Sequence, residues 1–242
     1  MTIVSVDLAS RRYTDIGIAV LKDGRSEIDV ELIPPPNLNL VGVPDACMLA
    51  MKLCTLAMQV DARLLILDGP QGWSGGTTES VIMRSCERAT RTPGKTGLPG
   101  CVKPRPFARM VEFSIAVFDF LHVAGWPRLE DCNWSGDHRS IESFPTHAWR
   151  TLKHDPLRAK PLDKSEIERW RDKLNEYCPI KWHRLPSHDE LQAVVAGLAG
   201  ILMERYSAQS CAIDGLPPYM EDGVWREGFI VSPTAAFFHR KG

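Results

Sequence analysis

Leu64-Leu65-Ile66-Leu67-Asp68-Gly69-Pro70 is the segment from which the architecture of this chain can be worked out. Four consecutive apolar residues read as a strand covered on both faces, the pattern of a parallel strand inside an α/β sheet. Asp68-Gly69-Pro70 then stops it abruptly. Upstream, Asp45 to Val60 is rich in Ala, Met, Leu and Cys, with Lys52 as the only charge between its ends, and reads as a largely buried helix. A helix delivering such a strand makes a crossover, so the strand runs parallel to another in the same sheet. Ile3 to Asp7 is the available partner.

Further out, Asp15 to Leu21 and Glu27 to Leu32 read as two more strands, joined through Lys22-Asp23-Gly24-Arg25. Asp-Gly between strand-like runs signals a hairpin, so these two are antiparallel neighbours. Ile28, Val30 and Leu32 alternate with Glu27, Asp29 and Glu31, which predicts an edge strand with one acidic face in water; Pro34-Pro35-Pro36 ends it. Beyond Pro70 the pattern predicts a Gly-rich loop over Gln71 to Thr78, a short helix over Glu79 to Thr90, a Gly/Pro loop over Arg91 to Pro106 and a helix over Phe107 to Val123. His138 to Phe144 reads as a strand. Asp163 with Glu166, and Ser187 with Glu190, have capping-box spacing and open two more helices. The second carries Ala193, Ala196, Gly197, Ala199 and Gly200, small enough for its backbone to approach a sheet closely. Gly228 to Val231 is a last apolar run. No internal repeat and no linker is visible, so residues 1–242 read as one domain with an irregular basic insertion around 71–106.

A chain of 242 residues that is 44% hydrophobic can bury a core, which excludes disorder and collagen-like classes. Twenty-nine basic residues against thirty acidic ones remove any case for a polyanion-binding protein built on overall charge. The longest charge-free stretches, Leu32 to Pro44 and Leu191 to Met203, fall short of the ~20 apolar residues a membrane span needs. With no basic n-region or apolar h-region after Met1, the expected location is the cytoplasm. Seven scattered cysteines without a C-x-x-C pair read as reduced thiols.

Asp7 ends the first strand and Asp68 its parallel neighbour, so both carboxylates fall at one sheet edge, where strands lie ~4.8 Å apart. Open α/β sheets bind ligands at that edge. Two carboxylates so close repel each other unless a proton or cation intervenes. Mg²⁺ or Mn²⁺ suits them, because Mg²⁺ takes hard oxygen ligands from one or two carboxylates and keeps several waters. The bland alternative is that each Asp merely caps a turn. Glu142, a charge inside the strand His138 to Phe144, and Asp189, in the first turn of the last large helix, are further candidates; a first-turn acid is also explained by the helix dipole. Arg84, Arg88, Arg91, Lys95, Lys103, Arg105 and Arg109 outnumber Glu87 and Glu112 over residues 84–112, which reads either as a phosphate-binding surface or as a solvated loop. Gly94-Lys95-Thr96 mimics the end of a phosphate-binding loop, but the earlier glycine it requires is Ala89. Trp73 is placed to meet a ligand, and His188 could assist proton transfer or simply sit at the surface.

Together these segments resemble a family of mostly uncharacterised bacterial proteins described as RNase-H-like nucleases. The residues that carry the resemblance are Ile3-Val4-Ser5-Val6-Asp7, Leu65-Ile66-Leu67-Asp68-Gly69-Pro70, Arg84-Ser85-Cys86-Glu87-Arg88, Ile141-Glu142-Ser143-Phe144-Pro145, Ser187-His188-Asp189-Glu190-Leu191 and Gly228-Phe229-Ile230-Val231, in the family's order. The resemblance implies an RNase-H-like fold: a mixed five-stranded sheet, its first three strands antiparallel and later ones parallel to the first, with helices on both faces. It also implies a Mg²⁺- or Mn²⁺-dependent nuclease acting on DNA or RNA, with Asp7, Asp68 and Asp189 as metal ligands and Glu142 as a fourth catalytic acid. The family often places a second acid three residues after the helix acid; here that position is Gln192, which raises the alternative of an inactive nucleic-acid-binding or structural module. A third reading, an actin-like ATPase or phosphotransferase on the same sheet, lacks the expected glycine in Asp7-Leu8-Ala9-Ser10.

Overall fold

The computed structural model describes residues 1–24, 26–76, 82–131, 134 and 136–238. Its centre is β1 (Thr2–Asp7), flanked on one side by β2 (Gly17–Asp23) and β3 (Ile28–Leu32), and on the other by β4 (Leu64–Asp68) and β7 (Arg139–Ser143). β1, β2 and β3 are antiparallel in sequence, and β4 and β7 run parallel to β1, as the hairpin and crossover signals require. The sheet has eight strands rather than five. β8 (Ile180–Trp182) adds in parallel outside β3, so β3 is not the edge. β10 (Val224–Ser232) adds in parallel beside β7, and β9 (Ala212–Glu221) closes that side antiparallel to β10. β8 is too short to show a period, and β9 contains Gly215, Pro217 and Pro218, tolerable on an outer strand but easily read as a turn.

Alternation along the central strands builds two cores. Ile3, Leu21, Leu64, Ile66 and Ile141 face one layer, where α4 (Pro145–Thr151), α5 (Lys164–Asn175) and α6 (His188–Tyr206) pack. Val4, Val6, Val20, Leu65 and Leu67 face the other, against α1 (Ala46–Gln59) and α3 (Ala108–Val123). α6 is buried for most of its length because its small residues allow close approach. A Cβ on Gly200 would fall 2.7 Å from Ile3 Cδ1, and Ser5 Oγ donates to the Ala193 carbonyl at 2.6 Å. Both capping boxes form, at Asp163/Glu166 and Ser187/Glu190.

Of the helix expected over Glu79 to Thr90, the structure shows α2 (Ser85–Thr90); residues 77–81, which include the end of the Gly-rich loop expected over Gln71 to Thr78, lie outside the described residues, as does Cys132. The basic segment is not wholly irregular, since β5 (Lys95–Thr96) and β6 (Val102–Lys103) pair as a short ribbon. Among the described residues no helix is long and apolar enough to cross a membrane.

Candidate active site

Asp7 and Asp68 are register partners at the carboxyl ends of β1 and β4, and the same row continues to Gly17 on β2 and Ser143 on β7. Residues paired across parallel strands share a face. Ser5, two residues before Asp7, points at α6, and so does Ile66, two before Asp68, whose Cγ1 would lie 3.3 Å from a Cβ on Gly200. The two carboxylates therefore sit side by side on the α6 face. Gly17 explains how the helix reaches them: a Cβ there would lie 2.1 Å from the Asp189 carbonyl oxygen, so only glycine lets the first turn of α6 press onto β2. Asp189 is thereby brought close enough for its charge to act on Asp7.

The electrostatics of the row are strained. Burial pushes the Asp7 carboxyl well above the usual carboxylate range, and the adjacent Asp68 and Asp189 charges push it further. Asp68 is raised to about 7, mainly by burial, with Glu142 adding to the rise and a hydrogen bond from Asp7 opposing it. Near neutral pH the pair holds a proton between two carboxylates, the state expected when two acids face each other without a compensating cation. Asp189 is better provided for. Lys160 Nζ pairs with its Oδ2, and His188 Nδ1 lies 2.9 Å from its Oδ1. Lys160 also lowers the Asp7 carboxyl, so its ammonium acts on Asp7 as well as on Asp189. No sequence pattern marks Lys160; it lies in the irregular segment between α4 and α5.

Glu142 does not join this row. It pairs in register with Leu67, one residue before Asp68, so alternation turns it to the opposite face. There it accepts from Arg84 at 2.6 and 2.7 Å and from the Gln71 backbone N–H at 3.0 Å. The same guanidinium donates to Glu87 at 3.2 Å, and the Thr96 backbone N–H donates to Glu87 at 2.9 Å. Glu227 lies at a β-bulge between Arg226 and Gly228, with φ of +54°, and accepts from the Gly75 and Ser85 N–H groups at 2.8 and 3.0 Å. These buried ions fasten the loop after β4 and the start of α2 to β7 and β10.

The structure divides the basic residues. Arg84 is 1% exposed and committed to two glutamates, so it cannot meet a phosphate at the surface. Lys95 Nζ donates to the carbonyls of Glu87 at 3.2 Å and Thr92 at 2.6 Å, closing the turn after α2 rather than forming a phosphate loop. Arg88, Arg91 and Lys103 are exposed, with Arg105 and Arg109 beside Lys103 in the chain. Gln192 is buried and its Oε1 accepts from the Trp149 indole at 2.8 Å, so this side chain is held in the core. Trp73 packs against Val111 and Ile115 in a small core cluster.

Whether a metal ion fits can be judged from the donors. Among the described residues no group of three or more His, Cys, Asp or Glu side chains is set to hold one. Asp7 and Asp68 nevertheless present adjacent hard oxygens whose repulsion a cation would relieve, which suits a divalent ion held by two carboxylates and water. Asp189 would have to exchange Lys160 to contribute.

No family model matches the chain, and no curated protein matches it. Among solved structures, T. thermophilus RuvC in complex with Holliday junction substrate aligns over 86% of this chain and 97% of its own, at 10% identity and a TM-score of 0.40. A superposition that loose supports no inference about fold or activity.

Proposed function

We propose that this chain is a divalent-metal-dependent nuclease of the RNase-H-like type, hydrolysing phosphodiester bonds in DNA or RNA at the edge where β1 and β4 end. The observation that carries this reading is the in-register pair Asp7 and Asp68, two adjacent carboxylates raised in pKa and, among the described residues, without an arginine or lysine paired to either. Such a pair opposes folding in its charged form. It is explained if it holds a cation during function.

Asp7 and Asp68 would hold Mg²⁺ or Mn²⁺, with Asp189 as the third ligand once Lys160 is displaced. When bound, the ion would lower the pKa of the attacking water and offset charge on the scissile phosphate. The chain's own contribution is positioning. β1 and β4 fix the two carboxylates by backbone pairing, and Gly17 sets the approach of Asp189. Lys160 offers a cation to the acids or, when they are occupied, to a phosphate oxygen. Arg88, Arg91, Lys103, Arg105 and Arg109 are exposed charges that would hold the strand through its phosphates, adding a salt-dependent affinity.

The test is incubation with end-labelled single- and double-stranded DNA and RNA in Mn²⁺, beside Asp7→Asn and Asp68→Asn. Cleavage lost in both variants supports the nuclease. Metal-dependent cleavage that survives both would overturn the site. A second reading, a strand-binding module without activity, is favoured by one observation: Asp189 is already paired with Lys160. Tight strand binding with no cleavage by the native chain in either metal would select it.

A further inference from the structure

A cavity of about 180 Å³ opens beside Asp68 at the ends of β4 and β7. Resting on the nuclease reading above, we propose that this cavity receives one unstacked nucleobase of the strand whose phosphate lies over Asp7 and Asp68. Two features identify the occupant as an uncharged planar ring.

The first is size. An apolar cavity of about 150 Å³ is known to admit benzene, so this one accommodates a single heterocycle. The second is the lining. Phe107, Met110 and Phe144 supply apolar surface, and Phe107 keeps 36% of its surface exposed while its ring lies against Gly94, where an added Cβ would come within 3.3 Å. Bases stack on such rings without regard to sequence. The charged residues on the lining argue against a phosphate: all three guanidinium nitrogens of Arg84 are engaged by Glu142 and Glu87, leaving two carboxylates for one cation, with Asp68 next to them. Ser143 and its register partner Asp68 both border the cavity, which places it at the strand ends that carry the acids. That placement suits a base and the phosphate of the same or the next nucleotide.

The experiment uses the full chain with ¹³C-methyl methionine, the Met110 signal being assigned by Met110→Leu, titrated without metal with adenosine, cytidine, ribose 5-phosphate and inorganic phosphate. Saturable movement of Met110 by a nucleoside, and none by either phosphate compound, is expected. Phe107→Ala, at a partly exposed position, should weaken nucleoside binding about tenfold, the loss of one stacking partner. No movement with either nucleoside, or equal movement with phosphate, overturns the pocket even if strands are cleaved. Nucleoside binding in a chain that cleaves nothing would support the pocket while removing the nuclease reading, so the two can fail separately.

Discussion

Asp7 and Asp68 face each other with no hydrogen-bonded cation of their own among the described residues, whereas Glu142, whose Cα partner is the residue before Asp68, receives three hydrogen bonds from Arg84 and the Gln71 N–H. Glu87 is supplied by the same arginine and the Thr96 N–H, and Glu227 by the Gly75 and Ser85 N–H groups. Both sets are carboxylates at one sheet edge, and both are removed from bulk water. The difference teaches which acids build the molecule and which are left for a ligand. A buried carboxylate with matched donors contributes to a defined structure, while one facing a second carboxylate serves no structural end.

The largest effect should come from breaking the satisfied set. Arg84→Met leaves Glu142 and Glu87 buried without their cation and is expected to destabilise the chain by about 3–5 kcal/mol, read as a lower urea midpoint. An unchanged midpoint would show that this network is not structural. Breaking the unsatisfied set should act on activity instead. Asp7→Asn is expected to reduce Mn²⁺-dependent cleavage more than a hundredfold, beyond the ten- to hundredfold typical of losing an outer-shell partner. Its metal-free urea midpoint at pH 8 should be no lower than that of the native chain, since the substitution removes a repulsion.

How far the sequence showed this division depends on the range of each interaction. The run Leu64 to Leu67 and its stop at Asp68 are local, and the parallel pairing with Ile3 to Asp7 follows from them. The capping box at Ser187/Glu190 is local too, and it places Asp189 in a first turn. Glu142 was misplaced because its face depends on the register between β4 and β7; Glu142 meets Leu67 where Ser143 meets Asp68, and one step in register reverses the side. Arg84 looked like a surface cation because nothing in residues 84–112 announces a partner 58 positions away. Lys160 lies in an irregular segment without periodicity, and its partner is 29 residues on. Gly17 was legible as a strand residue, but its need to lack a Cβ appears only once α6 is docked.

The comparison can be sharpened by pH. Asp68 is raised from 3.8 to about 7 in the folded chain, so between those values the folded state keeps a proton that the unfolded state has released. Stability should therefore fall as pH rises from about 4 to about 7, by at least about 2 kcal/mol for a shift of this size, and the raised Asp7 carboxyl continues the fall above that. Asp68→Asn should flatten that slope in EDTA, whereas Glu227→Gln should leave it in place. A slope that persists unchanged in Asp68→Asn would assign it to other groups.

The smallest effect tests the cation directly. Mg²⁺ binding only the folded state, at ten times its dissociation constant, adds about 1.4 kcal/mol. That increment should appear at pH 8, where Asp7 and Asp68 can give up their shared proton. It should shrink at pH 5, because the ion must then displace that proton to reach its ligands. Asp7→Asn should abolish the increment at both values, and Glu142→Gln should retain it at pH 8, since that carboxylate lies on the other face and is already committed to Arg84. Equal Mg²⁺ stabilisation in the native chain and Asp7→Asn, measured by thermal shift at matched ionic strength, would place the ion elsewhere on the surface and leave the facing carboxylates without a ligand.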